Sequence, residues 1–220
     1  MAGTTGARTS TTQLILVPSI ITLAITILRL VGELQGWPKP WFSGGAAIVG
    51  ISWLPFILGP YFAMKLAGMG DGPSSKGKTI ALSLAGIPVM VLGGFVVFKG
   101  LTQGGTALAL VGFLIIFAAA FIPRAGWVAL GNTLLAYAFA ARIPVVIVMF
   151  IAMRAGWTTH YSAIGPGPFA NAPFWKQFLD LALLPQMLLW TGFTVVIGGL
   201  FGAIAQAIVR RDKPAMQAAS

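Results

Sequence analysis

Residues 127–153 read WVALGNTLLAYAFAARIPVVIVMFIAM, an apolar run in which Arg142 is the sole charged residue. About 20 apolar residues carry a helix across the hydrocarbon core of a bilayer, so this stretch predicts a transmembrane helix. A guanidinium at mid-membrane depth costs roughly 2.5 to 3.5 kcal/mol on insertion scales, and it faces protein or water rather than lipid. Ala138, Ala141, Val145 and Val146 hold the neighbouring helical positions, so a partner for Arg142 has to come from another helix. Pro144 removes a backbone donor and disfavours helical geometry at Ile143, which predicts a kink or an unwound turn beside the arginine.

The rest of the chain has the same character. Hydrophobic residues make up 57% of the 220 positions and charged residues 8%, and the mean hydropathy of +0.90 lies far outside the range of a soluble domain. Six stretches are long enough to cross a bilayer, at about Gln13–Leu34, Gly45–Leu66, Thr79–Phe98, Gly105–Pro123, Trp127–Met153 and Phe174–Val209. Glycine- and proline-rich segments separate them. The expectation is an all-α polytopic membrane helix bundle of about six transmembrane helices, several kinked by proline at Pro18, Pro55, Pro60, Pro88, Pro144 and Pro185. Residues 11–210 form its single domain, between a disordered cytoplasmic N-terminus at 1–10 and a cytoplasmic tail at 211–220.

Basic residues choose the orientation. With the N-terminus inside, Arg8, Lys65, Lys76, Lys78, Arg124, Arg210, Arg211 and Lys213 fall on one face, and Arg29, Lys39, Lys99, Arg154 and Lys176 on the other. Eight against five puts both termini in the cytoplasm. Trp37, Trp41, Trp157 and Trp175 then mark the outer interface, where amphipathic rings prefer headgroup depth. The first apolar stretch is too long for a signal-peptide core and reads as a retained signal anchor. The formal charge of +10 is dispersed between apolar runs, which fits anionic lipid headgroups and not nucleic acid.

Thr22, Thr26, Arg29 and Glu33 are spaced four, three and four apart and share one face of the first helix, which should look inward. Arg29 is placed one turn before Glu33 to pair with it. In the last helix Asp180, Met187, Thr191 and Gly198 fall on one line at 3.6 residues per turn, with Lys176 one turn before Asp180. By depth, Arg142, Glu33 and Asp180 all belong to the outer half of the membrane, so either carboxylate can neutralise the arginine. Arg29, Glu33, Arg142 and Asp180 are therefore the candidate binding or charge cluster, joined by His160 and Tyr161 from the outer loop. Gly131, Ala138, Gly198 and Gly202 are candidate helix-packing positions, since small residues let backbones approach closely.

With no cysteine and one histidine, the chain offers no thiolate nucleophile and no multi-residue cysteine or histidine metal site, and no cofactor is expected. Ser52 and Ser83 lack the surroundings of a nucleophile, so no catalytic residue is assigned. Glu33-Leu34-Gln35-Gly36-Trp37, His160-Tyr161, Phe193-Thr194-Val195 and Gly199-Leu200-Phe201-Gly202 together resemble segments of uncharacterised bacterial multi-pass membrane proteins. That resemblance implies an inner-membrane location and no particular activity. Two functions remain open at this point. One is a non-catalytic helix-packing or assembly component with a membrane-protein partner or a second copy of itself. The other is a small-solute transporter or membrane substrate-binding subunit with an outward-facing polar pocket for an unidentified ligand.

Overall fold

Backbone polar groups inside lipid must bond to one another, and this chain meets the demand with helices almost throughout. The computed structural model describes residues 10–43, 47–103, 105–164 and 169–209 and holds no strand among them. The terminal segments and the basic residues Arg8, Arg210, Arg211 and Lys213 lie outside the described residues.

Helix α1 (Thr11–Leu34) starts at a capping box in which Ser10 Oγ accepts the Gln13 N–H and the Gln13 side chain accepts the Ser10 N–H. A short α2 (Lys39–Phe42) leads to a non-helical stretch and then α3 (Leu54–Gly68). Helices α4 (Lys76–Thr102), α5 (Thr106–Ala119) and α6 (Phe121–Gly126) follow, the last two stacked end to end, and then α7 (Val128–Ala155). The final pass is α8 (Phe174–Phe178), two π-helical turns (Leu179–Leu183 and Pro185–Leu189) and α9 (Trp190–Val209).

Contacts at the ends order these passes. At one end Leu14, Leu66 and Trp127 share a cluster, Trp127 Nε1 donates to Asp71 O and Thr79 Oγ1 donates to Gly126 O. At the other, His160 N donates to Glu33, Thr106 donates to Asp180, and the rings of Phe150 and Phe174 meet. Successive passes therefore run in opposite directions, and Gly199 near Pro123 brings the last one back to the end where α1 began.

Small residues set the tightest approaches. A Cβ on Gly59 of α3 would sit 2.6 Å from Gly198 Cα of α9, and one on Gly202 would sit 2.8 Å from Gly59 O. Between α4 and α5, a Cβ on Gly100 would meet Ala109 Cα at 2.7 Å and one on Gly112 would meet Gly93 O at 2.7 Å. Backbones in direct contact gain dispersion energy that lipid cannot supply, which is what holds helices together in a membrane. Gly131 faces Arg124 in the same way, and Ala138 is fully buried. The opposite faces carry Val17, Ile20 and Ile27 on α1 and Val91, Phe95 and Phe98 on α4, all exposed, as a lipid-facing surface requires.

Three expectations need correction. First, five helices among the described residues are long and apolar enough to cross a membrane by themselves, and the expected second span is not one of them. The stretch predicted as a span over Gly45–Leu66 is helical only from Leu54, and α3, with 15 residues, extends about 22 Å against a hydrocarbon core of about 30 Å. Pro55 cannot donate to Ile51 and crowds its carbonyl, so the helix starts where proline is tolerated, in its first turn. Residues 47–53 instead form bends whose backbone is held by α2, with Val49 N donating to Trp41 O at 2.8 Å.

Second, of the kink or unwound turn expected beside Arg142, the unwound turn is absent, since α7 is continuous from Val128 to Ala155 with Pro144 inside it. The irregular winding falls around Pro185, where the Leu184 N–H reaches Leu179 O and the Trp190 N–H reaches Pro185 O, five residues back in each case. Third, this slower winding breaks the line drawn from Asp180 to Met187. Asp180 turns toward Thr106 of α5, while buried Gln186, not half-buried Met187, turns toward α7.

Candidate functional site

Between α1, α7, the bends at 47–53 and the π-helical turns lies a partly enclosed cavity of about 220 Å³. Thr26 and Arg29 reach it from α1, Gly50, Ile51 and Ser52 from the bends, Arg142, Val145 and Met149 from α7, His160 and Tyr161 from the loop after α7, and Gln186 and Trp190 from the last pass. The bends at 47–53 and the π-helical turn Pro185–Leu189 both border the cavity. Non-helical backbone inside a membrane is tolerated where it is buried in protein or lines such a space.

Arg142 is 4% exposed. Its Nη1 donates to Gln186 Oε1 at 3.3 Å, and its guanidinium lies 4.8 Å from the centre of the Trp190 ring. Its Nε is buried without a hydrogen-bond partner. Among the described residues no carboxylate pairs with it, because both expected partners are engaged elsewhere.

Glu33 belongs to a separate knot on the rim. Its Oε1 accepts from Arg29 Nε at 3.1 Å and lies against His160 Nδ1, while its Oε2 accepts the His160 backbone N–H at 2.7 Å. Arg29 Nε also reaches Phe42 O, so the end of α1 is tied to α2 and to the loop after α7 at once. A Cβ on Gly50 would come within 3.0 Å of Arg29 Nη1, so glycine there lets the guanidinium lie close over the backbone. Burial first, and then the Arg29 charge, pull the His160 imidazole from its ordinary 6.5 down to about 4, against the opposing pull of Glu33. The imidazole is neutral at pH 7. Tyr161 is pushed up to about 12, chiefly by burial, and its hydroxyl donates to Thr26 O. The inward polar face of α1 continues below this with Thr22, whose hydroxyl meets Tyr137 at 2.8 Å.

Asp180 stands apart from the cavity. Its Oδ2 accepts from Thr106 at 2.7 Å and from Lys176 at 2.9 Å, and Lys176 also contacts the Thr106 hydroxyl. The candidate cluster thus resolves into a cavity with Arg29, Arg142, His160 and Tyr161 on its wall, Glu33 behind that wall, and Asp180 in a different helix contact. Among the described residues no three His, Cys, Asp or Glu side chains gather as a metal ion would need.

Gln186, Trp190, Ser52 and Gly50 were not placed in the candidate cluster by sequence reasoning. A signal was present for three of them, since Gln186 follows Pro185 in an otherwise apolar stretch and Gly50 and Ser52 interrupt the second one. A different motif is a false lead. Gly72-Pro73-Ser74-Ser75-Lys76-Gly77-Lys78-Thr79 has the G-x-x-x-x-G-K-T spacing of a phosphate-binding loop. Here it follows a helix and not a strand, Ser75 caps α4, and the Thr79 hydroxyl is spent on Ser75 O and Gly126 O, both at 2.9 Å. It serves as a helix cap.

Compared with protein-family models, curated proteins and solved structures, the chain matches none.

Proposed function

We propose that this chain is a membrane protein of the small-solute transporter or substrate-binding type, with its site in the cavity between α1, α7 and the π-helical turns. The observation that carries this reading is Arg142, a buried cation at the cavity wall with a hydrogen bond to Gln186, a ring contact to Trp190 and no carboxylate. A guanidinium that only held helices together would be paired, since an uncompensated charge in lipid is costly. Apolar walls with a few convergent polar groups are also the usual make-up of a small-molecule site.

The setting belongs to the same reading. The protein resides in a bacterial inner membrane with its termini in the cytoplasm, following the excess of basic residues on that side. The cavity then opens toward the outer half, at the end of the bundle that carries Trp37, Trp41, Trp157 and Trp175. An assembly role would draw on the glycine seams, but Gly59, Gly198 and Gly202 are used within the chain itself.

The test is native mass spectrometry of the protein extracted in its own lipids. A bound small molecule should be present in the wild type and absent from Ile51→Phe, which fills the cavity while keeping every charge. An empty wild type, or a molecule retained by the variant, contradicts the proposal.

A further inference from the structure

We infer that the solute taken by this cavity is a small amphiphilic monoanion, a monocarboxylate, whose charged end lies between Arg29 and Arg142 and whose apolar body lies on Ile51, Val145, Met149 and Trp190. This rests on the binding role proposed above and adds the chemistry of the ligand.

The charge around the cavity carries the argument. From α1 come Arg29 and Glu33, from α7 Arg142, and from the outer loop the neutral imidazole of His160 and the protonated phenol of Tyr161. Glu33 offsets one guanidinium, which leaves an excess of one positive charge facing a space with no acid on its wall. A cation entering would meet like charge, and a neutral solute would leave Arg142 uncompensated. A dianion would reverse the imbalance, whereas a single carboxylate closes it.

The donors fit the same group. A carboxylate accepts from several N–H and O–H groups at once, and the residues on this wall include Arg142, whose Nε has no partner, and Ser52 with its hydroxyl. A guanidinium binds a carboxylate through two parallel N–H groups, a geometry a single ammonium lacks. Gln186 and the Trp190 ring hold the Arg142 plane from two sides, so it is oriented before the ligand arrives. The remaining wall is aliphatic, thioether and indole, which accepts a hydrocarbon body and offers no second charged site.

The experiment uses the full chain in phosphatidylcholine nanodiscs. Thermal stability is followed during titration with straight-chain monocarboxylates from acetate to octanoate, with their primary amides and with inorganic phosphate, and again in discs containing phosphatidylglycerol. The expected result is saturable stabilisation by carboxylates, at least about tenfold weaker for the matching amides, a difference of about 1.4 kcal/mol. Arg142→Gln should abolish the preference and Arg142→Lys should reduce it. Ile51→Phe, which leaves the charges untouched, should lose binding of acid and amide alike. Equal binding of acid and amide overturns the inference about charge but leaves the pocket standing. No response to either overturns both. A gain from phosphatidylglycerol that soluble carboxylates cannot add to assigns the anion to a lipid headgroup and overturns the soluble ligand.

Discussion

Arg142 and Gln186 meet at 3.3 Å across the interior of the bundle, and no acid takes part in the contact. One residue comes from the middle of a regular helix and the other from a π-helical turn. The contact exists because Pro185 opens the winding of the last pass and rotates an amide, rather than the neighbouring methionine, toward α7. A neutral amide orients a guanidinium without cancelling its charge, and that separates this arrangement from a structural ion pair.

Arg142 and Lys176, the one buried and the other half-buried, should therefore respond differently to removal. Insertion of Arg142 costs about 3 kcal/mol, and its charged hydrogen bond and ring contact return a similar amount. Arg142→Met should change stability in detergent by no more than about 1 kcal/mol. Lys176→Met should cost about 3 to 5 kcal/mol, because it leaves Asp180, which is 0% exposed, as a buried charge without its counter-ion. Thermal or denaturant unfolding of both variants decides this, and equal losses would mean that Arg142 is structural after all.

Substitutions of glycine should divide by what the new Cβ meets. Gly59→Val drives side-chain atoms into the backbone at Gly198, which cannot retreat without separating α3 from α9, and a loss of about 3 kcal/mol follows. Gly94→Ala points into open space on α4 and should be neutral or stabilising by up to about 1 kcal/mol, the helix propensity difference. Melting temperatures of the two variants, measured in the same detergent, test the pair.

Acid should weaken the end of the molecule where α1 meets the loop after α7. The imidazole of His160, enclosed by Arg29, Glu33 and Tyr161, titrates near 4 when folded and near 6.5 when unfolded. Its folded value is the lower one, so the unfolded chain binds the proton first, and stability is lost as pH falls from about 6.5 through 4. Between pH 7 and 8 this group contributes no slope. His160→Gln should flatten the acid limb of a stability-against-pH profile, and an unchanged limb would place the titration elsewhere.

Much of the fold could be read from hydropathy, because a bilayer demands long apolar helices and α1, α4 and α7 supply them. The second pass could not. Its apolar stretch is continuous in composition, and only the positions of Gly50, Ser52 and Pro55 betray where helical bonding stops. The inward face of α1 was legible because its winding is regular, and Thr22, Thr26 and Arg29 are indeed buried. The last pass misled, since projection at 3.6 residues per turn assumes a winding that Pro185 does not allow. For the same reason the partners of Arg142 were misassigned. Charge alone nominated Glu33 and Asp180, but each has a basic residue one turn away on its own helix and is paired with it.

The central claim is that the space beside Arg142 is wet and positive, and Ser52→Cys reads both properties in a chain that has no other cysteine. Ser52 lines the cavity, so the introduced thiol can be challenged with negatively and positively charged methanethiosulfonates, on intact cells and on inside-out vesicles, with rates scaled to those on a small thiol in solution. The account predicts modification from the outside, about tenfold faster for the anionic reagent, with the preference lost in Arg142→Gln. A thiol unreactive from both sides, or one that favours the cationic reagent, would contradict it.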